Sequence, residues 1–276
     1  MPDANNGHDL SGMSPELYFT LALIVKMAVT AAFLLAATIT AERAGPLIGG
    51  LVATLPISAG PVYAFLALDH DAHFIAQAAL GSLVTNVINV AFAVTYTLLA
   101  QRSSLAVSMG GAYLLWLVLS YFLAGAHWPL PQAIAVNAAV IGLSMWIVHS
   151  FRHVRVLAVR PRWYELLMRA GMVAALVGVV VTLSFTIGPT MSGSLAVFPI
   201  VLTSLMIILH RRIGGPATAA VMANTIVGFG GFALALVALD LAAERVGSPL
   251  ALTLALAVSI SCNLALYFIR KRAAAS

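Results

Sequence analysis

Cysteine is all but missing: Cys262 is the only one in 276 residues, so the chain can form neither an intramolecular disulfide nor a cysteine metal cluster. Its place in an apolar run gives it the role of a small packing residue. Charge is scarce too, at 8% of residues where a soluble domain carries about a quarter. No stretch is polar enough to be a soluble domain. Residues 1–16 contain Asp3, Asp9 and Glu16 but no Lys or Arg. They lack the basic start of a cleaved signal, so the first apolar stretch is expected to stay as a transmembrane helix. There is no Walker A loop, HExxH, GxSxG or CxxC pair, which points to a non-enzyme without cofactor or metal and without ATP hydrolysis of its own.

What the chain has is apolar sequence. Hydrophobic residues make up 62% and the mean hydropathy is +1.02, so its solvent is mainly lipid. A bilayer core about 30 Å thick needs roughly 20 apolar residues per crossing. Nine spans are expected, at 17–40, 45–68, 75–100, 104–124, 130–150, 164–187, 188–210, 216–243 and 248–269. The net charge of +5 does not imply nucleic acid, because the basic residues follow the loops. Arg152, Arg155, Arg160 and Arg162 crowd the loop after the fifth span and place it in the cytoplasm. Alternation then puts Arg43, Arg102, Arg211, Arg212, Arg270, Lys271 and Arg272 on that same side, leaving Arg245 as the only external basic loop residue. The expected localisation is a bacterial inner membrane, multi-pass, with the N-terminus outside and the C-terminus in the cytoplasm.

An internal repeat organises the spans. Gly45-Pro46-Leu47-Ile48-Gly49-Gly50-Leu51-Val52-Ala53-Thr54-Leu55-Pro56-Ile57 aligns with the segment from Gly188-Pro189 to Phe198-Pro199-Ile200, at an offset of 143 (188 − 45). At that offset Lys26 falls on Arg169 and Ser120 on Asn263. Spans one to four then repeat as spans six to nine. Equivalent helices are five spans apart, an odd number, so the halves must cross the membrane in opposite directions, as in many secondary transporters. The expected fold is an all-α integral membrane protein of about nine transmembrane helices, two four-helix inverted-topology repeats joined by a linker helix. The expected divisions are 1–16 (external tail), 17–124 (repeat 1), 125–163 (linker helix and basic cytoplasmic loop), 164–269 (repeat 2) and 270–276 (cytoplasmic tail).

On Gly50-Leu51-Val52-Ala53-Thr54-Leu55-Pro56 and Gly193-Ser194-Leu195-Ala196-Val197-Phe198-Pro199, together with the four-span layout, each half resembles the GlpM-like family of small bacterial inner-membrane proteins. The resemblance implies a duplicated, fused membrane module with no established catalytic residue, in a family associated with envelope polysaccharide production.

Function is sought where the membrane is least tolerant. Pro56 and Pro61 in span two and Pro199 in span seven remove backbone donors, and Gly49, Gly50, Gly60 and Gly193 loosen the same helices. Such irregular helices supply free backbone groups near mid-membrane in inverted-repeat carriers. A substrate site is expected between spans two and seven at Thr54, Pro56, Ser58, Pro199, Thr203 and Ser204, with Asn86 and Asn224 from neighbouring helices and Ser192 and Ser194 as further hydroxyls. The plain alternative is close helix packing through small residues, and interhelical bonds of roughly 1 kcal/mol each also account for Asn86, Asn89 and Asn224. Intramembrane charges default to functional hypotheses. Lys26, about 13 Å below the outer edge by helical rise, can snorkel outward or meet Asp240 at similar depth, and both are assigned to an outer gate or coupling step. Arg169 is expected to reach Glu165 or the cytoplasmic edge. Asp69-His70-Asp71-Ala72-His73 has metal-ligand residue types, but its consecutive positions read as a solvated loop.

The function expected on these grounds is a small secondary transporter or exporter of a small-molecule solute, with proton coupling in view. The alternative is a non-transporting scaffold or accessory subunit of an envelope-assembly complex. Beyond the lipid bilayer, a homo-oligomer or an envelope-complex partner is compatible with the sequence.

Overall fold

The computed structural model describes residues 14–43, 58–124, 126, 128–152 and 162–275. All regular structure among them is helical: α1 Pro15–Arg43, α2 Ala59–Asp69, α3 Ala72–Leu99, α4 Leu105–Ala124, α5 Leu130–Ile147, a 3₁₀ turn His149–Phe151, α6 Trp163–Ala196, α7 Ile200–Ile213, α8 Gly215–Val246 and α9 Ser248–Ala275. Helices are what apolar runs must form in lipid, where no water is available for a free backbone group.

The turns are set by glycine and proline. Gly188, Gly214 and Gly247 have φ of 76°, 82° and 81°, the left-handed region that L side chains avoid. Each is followed within two residues by Pro189, Pro216 or Pro249. Proline is tolerated in the first turn of a helix, where its missing N–H has no partner to lose. The Gly214 and Gly247 amides donate to the His210 and Ala243 carbonyls, closing one helix as the next begins. Gly188 makes α6 a kinked element, a long segment to 187 and a short one from Pro189 to Ala196. Pro199 then starts α7, and residues 197–199 between them are not helical.

α3 is the most buried of the long helices, and α1 and α9 are among the least. It packs most extensively on α8, and also on α4, α5 and α6; α1 lies on α6, and α9 on α8. Two backbone contacts fix the short segment of α6 across α3. A Cβ at Gly193 would fall 1.8 Å from the Ala78 carbonyl oxygen, and one at Gly81 would fall 2.2 Å from that of Thr190. Only glycine fits at either position.

Among the described residues, seven helices are long and apolar enough to cross a membrane. The stretch Trp163–Ile213, 51 residues, counts once among them although it holds two of the expected spans. Of span two, only the part from residue 58 lies within the described residues, and α2 has 11 residues. Pro61, expected to interrupt span two, does not do so, because it lies in the first turn of α2. Helix starts recur at the offset of the sequence repeat: α3 begins at Ala72 and α8 at Gly215, α4 at Leu105 and α9 at Ser248, each pair 143 residues apart.

Candidate functional site

The interrupted stretch 189–199 is where backbone groups lose helical partners, and polar side chains of α2, α3 and α4 gather there. Ser82 of α3, fully buried, donates to the Gly193 carbonyl at 2.6 Å. A hydroxyl has one proton, so the 2.6 Å contact between Ser82 Oγ and Tyr63 of α2 has the tyrosine as donor. Two turns further along α3, Asn89 donates through Nδ2 to the Val197 carbonyl at 2.7 Å and accepts from Trp116 Nε1 at 2.9 Å. That carbonyl sits at the break, and the amide supplies the donor the helix no longer provides. Thr203 Oγ1 spends its proton on the Pro199 carbonyl at 2.7 Å, so the Tyr113 hydroxyl donates to Thr203.

A second cluster joins three helices. Asn86 Nδ2 donates to Asn137 Oδ1 of α5 at 2.8 Å and to the Phe229 carbonyl of α8 at 3.3 Å. Asn137 Nδ2 donates to the Leu83 and Ala133 carbonyls at 2.8 and 2.9 Å. Those two carbonyls fix the Asn137 amide, which fixes that of Asn86, and Asn86 Oδ1 is left as a buried acceptor without a donor.

The expected site residues are therefore dispersed. Thr54 and Pro56 lie outside the described residues. Ser58 is at the start of α2, half-buried, and its side chain makes no cap bond. Pro199 and Thr203 belong to the break, while Ser204 bonds locally to the Val201 carbonyl. Asn86 is in the three-helix cluster, whereas Asn224 donates to the Arg152 and Ala220 carbonyls. Ser192 bonds to the Gly188 carbonyl, and Ser194 to the Thr190 carbonyl at 3.0 Å with the Gly81 carbonyl of α3 at 3.4 Å. Two grooves flank the bundle, and both are lined chiefly by apolar side chains. One, about 490 Å³, lies between α1, α2, α8 and α9, beside Phe33, Tyr63, Phe232 and Leu256. The other, about 500 Å³, lies between α1 and α6.

The charges correct two expectations. Lys26 pairs with Asp69, at 2.7 and 2.5 Å from its two oxygens, rather than with Asp240. α2 runs on to Asp69 and delivers that carboxylate to α1. Asp240, half-buried on α8, lies in the field of Tyr63 and one turn from Glu244. Nor is the segment 69–73 a solvated loop. Asp71 caps α3 by accepting from the Phe74 amide at 2.8 Å. His70 Nε2 meets Ser184 Oγ at 2.8 Å while its ring stacks on Phe74 with centroids 3.8 Å apart, and His73 pairs with Glu244 at 2.5 Å. Burial of the His70 ring, aided by Lys26 and opposed by Asp69 and Asp71, holds its pKa below the usual imidazole value. Among the described residues, no three His, Cys, Asp or Glu are placed to hold a metal ion.

A second ion pair lies at the other end of α3. Arg212 Nη1 is 3.2 Å from both oxygens of Glu165, whose side chain is 6% exposed. Arg212 precedes Gly215, which abuts the Ala100 carbonyl at the C-terminal end of α3, whereas Asp69 precedes the N-terminal end.

Tyr63, Ser82 and Asn137 are structural residues that the sequence did not single out. The signal available was Gly81-Ser82 in one helix and Gly193 in another, small residues that permit the crossing. Comparison with protein-family models, curated proteins and solved structures finds no match.

Proposed function

We propose that the chain is a secondary transporter of a small solute, with nine crossings, two inverted repeats about α5, and the N-terminus outside. The observation that carries this reading is the interrupted stretch 189–199, whose carbonyls at Gly193 and Val197 are held by side chains of the most buried helix. Irregular backbone at membrane depth is tolerated only inside protein or along a cavity, and carriers place it where one repeat moves against the other. The 143-residue recurrence of helix starts supports the duplication. Ion pairs at both ends of α3 fit a state closed on both sides.

A second reading, the non-transporting scaffold that the GlpM-like resemblance favours, draws on a different observation. The grooves are apolar, and the buried polar side chains around the break satisfy one another. Labelling separates the two. In a Cys262→Ser background, Ser192→Cys and Phe198→Cys are exposed to a membrane-impermeant maleimide from either side of oriented vesicles. A carrier reacts at these positions from each side in turn. A scaffold reacts from neither, and that result would remove the transport proposal. Reporter fusions in 69–73 and 153–161 test the orientation separately.

A further inference from the structure

Phe92, Tyr96 and Tyr113 belong to a packed cluster of α3, α4, α7 and α8, with the Phe92 and Tyr113 rings edge to face at 5.0 Å. The residues 143 positions after them are Ala235, Leu239 and Leu256. Those three line the groove of about 490 Å³ between α1, α2, α8 and α9. An aliphatic side chain fills less than a ring, and here the space stays open.

This groove is apolar along its length and ionic at one end. Among the described residues it opens sideways past Val29 and Phe33 of α1, each 53% exposed, and past Leu256 of α9. From Val29 to Ala37 it runs about 12 Å by helical rise, within one leaflet of a hydrocarbon core about 30 Å thick. For a chain in a bilayer, the molecules beside that opening are lipids. At the end where α8 turns into α9, two side chains of opposite sign flank the groove. Lys26 Nζ stands 5.9 Å from the centroid of Phe65, a lining ring. Asp69 takes two contacts from an ammonium that has three N–H groups, so one is left. Asp240 is one turn beyond Leu236 and next to Leu239, both lining residues. Tyr63, which also lines the groove, spends its proton on Ser82. The charge that acts on Asp240 is that of Glu244, another acid. Among the described residues this half-buried carboxylate therefore has no donor and no cation. An ionisable group at membrane depth calls for a partner.

We propose that the groove binds one phospholipid of the surrounding bilayer whose head carries a primary ammonium, as in phosphatidylethanolamine. An acyl chain lies along α1 and α8, the phosphate accepts from the remaining Lys26 N–H, and the ammonium donates to Asp240. A quaternary head has no N–H to give, and a glycerol head has no positive charge to offer. The site rests on the chain lying in a bilayer and not on its moving a solute.

The test uses the full chain in vesicles of equal parts phosphatidylethanolamine, phosphatidylcholine and phosphatidylglycerol. The photoreactive residue p-benzoylphenylalanine is placed at Phe232, which lines the groove, or at Leu117, an exposed position on α4. After irradiation, mass spectrometry identifies what each position has captured. Adducts at Leu117 follow the bulk mixture, whereas at Phe232 phosphatidylethanolamine is enriched about fivefold over both other lipids. Asp240→Asn removes the enrichment. Ala235→Phe, which returns a ring to the groove, abolishes lipid capture at Phe232 and leaves that at Leu117. The proposal is overturned if the two positions capture the same mixture, if another head is preferred at Phe232, or if the enrichment survives Asp240→Asn or Ala235→Phe. It is also overturned if Phe232 captures residues 44–57 of the chain itself, which would make that segment the occupant. The comparison of Phe232 with Leu117 stands whether or not the groove variants fold.

Discussion

Asn86 donates to the backbone carbonyl of Phe229, 143 positions after it, the offset of the proposed repeat. Two equivalent atoms related by a two-fold axis are separated by twice their distance from it, so equivalents in contact lie close to the axis. In the inverted-repeat reading, this contact marks where the axis passes between α3 and α8. The unrepeated helix α5 reaches the same point through Asn137. Asn86→Ala leaves Asn137 Oδ1 without its donor and is expected to destabilise by about 1–3 kcal/mol. Asn137→Ala has a similar cost, and the double variant costs less than the sum by about 1 kcal/mol. Reversible unfolding in mixed micelles measures the cycle; strictly additive values would show that the two amides do not act together.

The crossing of α3 by the short segment of α6 depends on two glycines. Gly193→Ala and Gly81→Ala each place a methyl inside a backbone carbonyl, so the helices must separate. Both should lower the unfolding midpoint sharply. Gly60→Ala and Gly142→Ala, whose added methyl would meet nothing within 4 Å, should leave it unchanged or raise it. Equal midpoints for the two sets would mean that the crossing is not close in the membrane.

The helical class, most turns and the 143-residue spacing of two pairs of helix starts were legible in the sequence because each rests on a local signal: long apolar runs, Gly-Pro punctuation and a fixed spacing. Partnerships were not. A helix that is apolar all round carries no stripe to say which way it faces, so depth can be inferred from residue number while the direction around the axis cannot. Lys26 and Asp240 were matched by depth, and α2 instead carries Asp69 to Lys26. Asn89 was readable as a polar group needing a partner, but not as the residue that holds the Val197 carbonyl, since that carbonyl is freed only by the break at 197–199. Ser82 escaped notice because one hydroxyl among many small residues looks like packing until its neighbour is known.

His70 makes docking of the α2–α3 corner pH-dependent. Its folded pKa lies below the usual 6.5, mainly because burial disfavours the charged ring. A depressed folded value means that the unfolded chain binds the proton more readily, so stability from this group is fully present above pH 6.5 and is lost as pH falls through the folded pKa. Thermal midpoints between pH 8 and pH 5 should therefore fall more for the unaltered protein than for His70→Asn. Parallel profiles would show that His70 does not titrate on undocking.

The two ion pairs occupy related places with their signs exchanged. Asp69 and Arg212 lie 143 residues apart, at the ends of α2 and α7, and each bonds to a residue on the helix before: Lys26 on α1, and Glu165 on α6, one turn from the residue 143 positions after Lys26. The Lys26 and Asp69 side chains are 17% and 19% exposed, between a surface pair worth little and a buried one whose breaking leaves a lone charge. Lys26→Met and Asp69→Asn should each destabilise by about 1–3 kcal/mol, with the double variant recovering part of the loss. The same holds for Glu165→Gln, which leaves Arg212 without that carboxylate. If the pairs hold the two ends of a carrier shut, their loss should have opposite consequences for access. Asp69→Asn should raise maleimide labelling of Ser192→Cys from the outer side, and Glu165→Gln should raise it from the other. Loss of stability without any change in labelling would mark both pairs as structural ties.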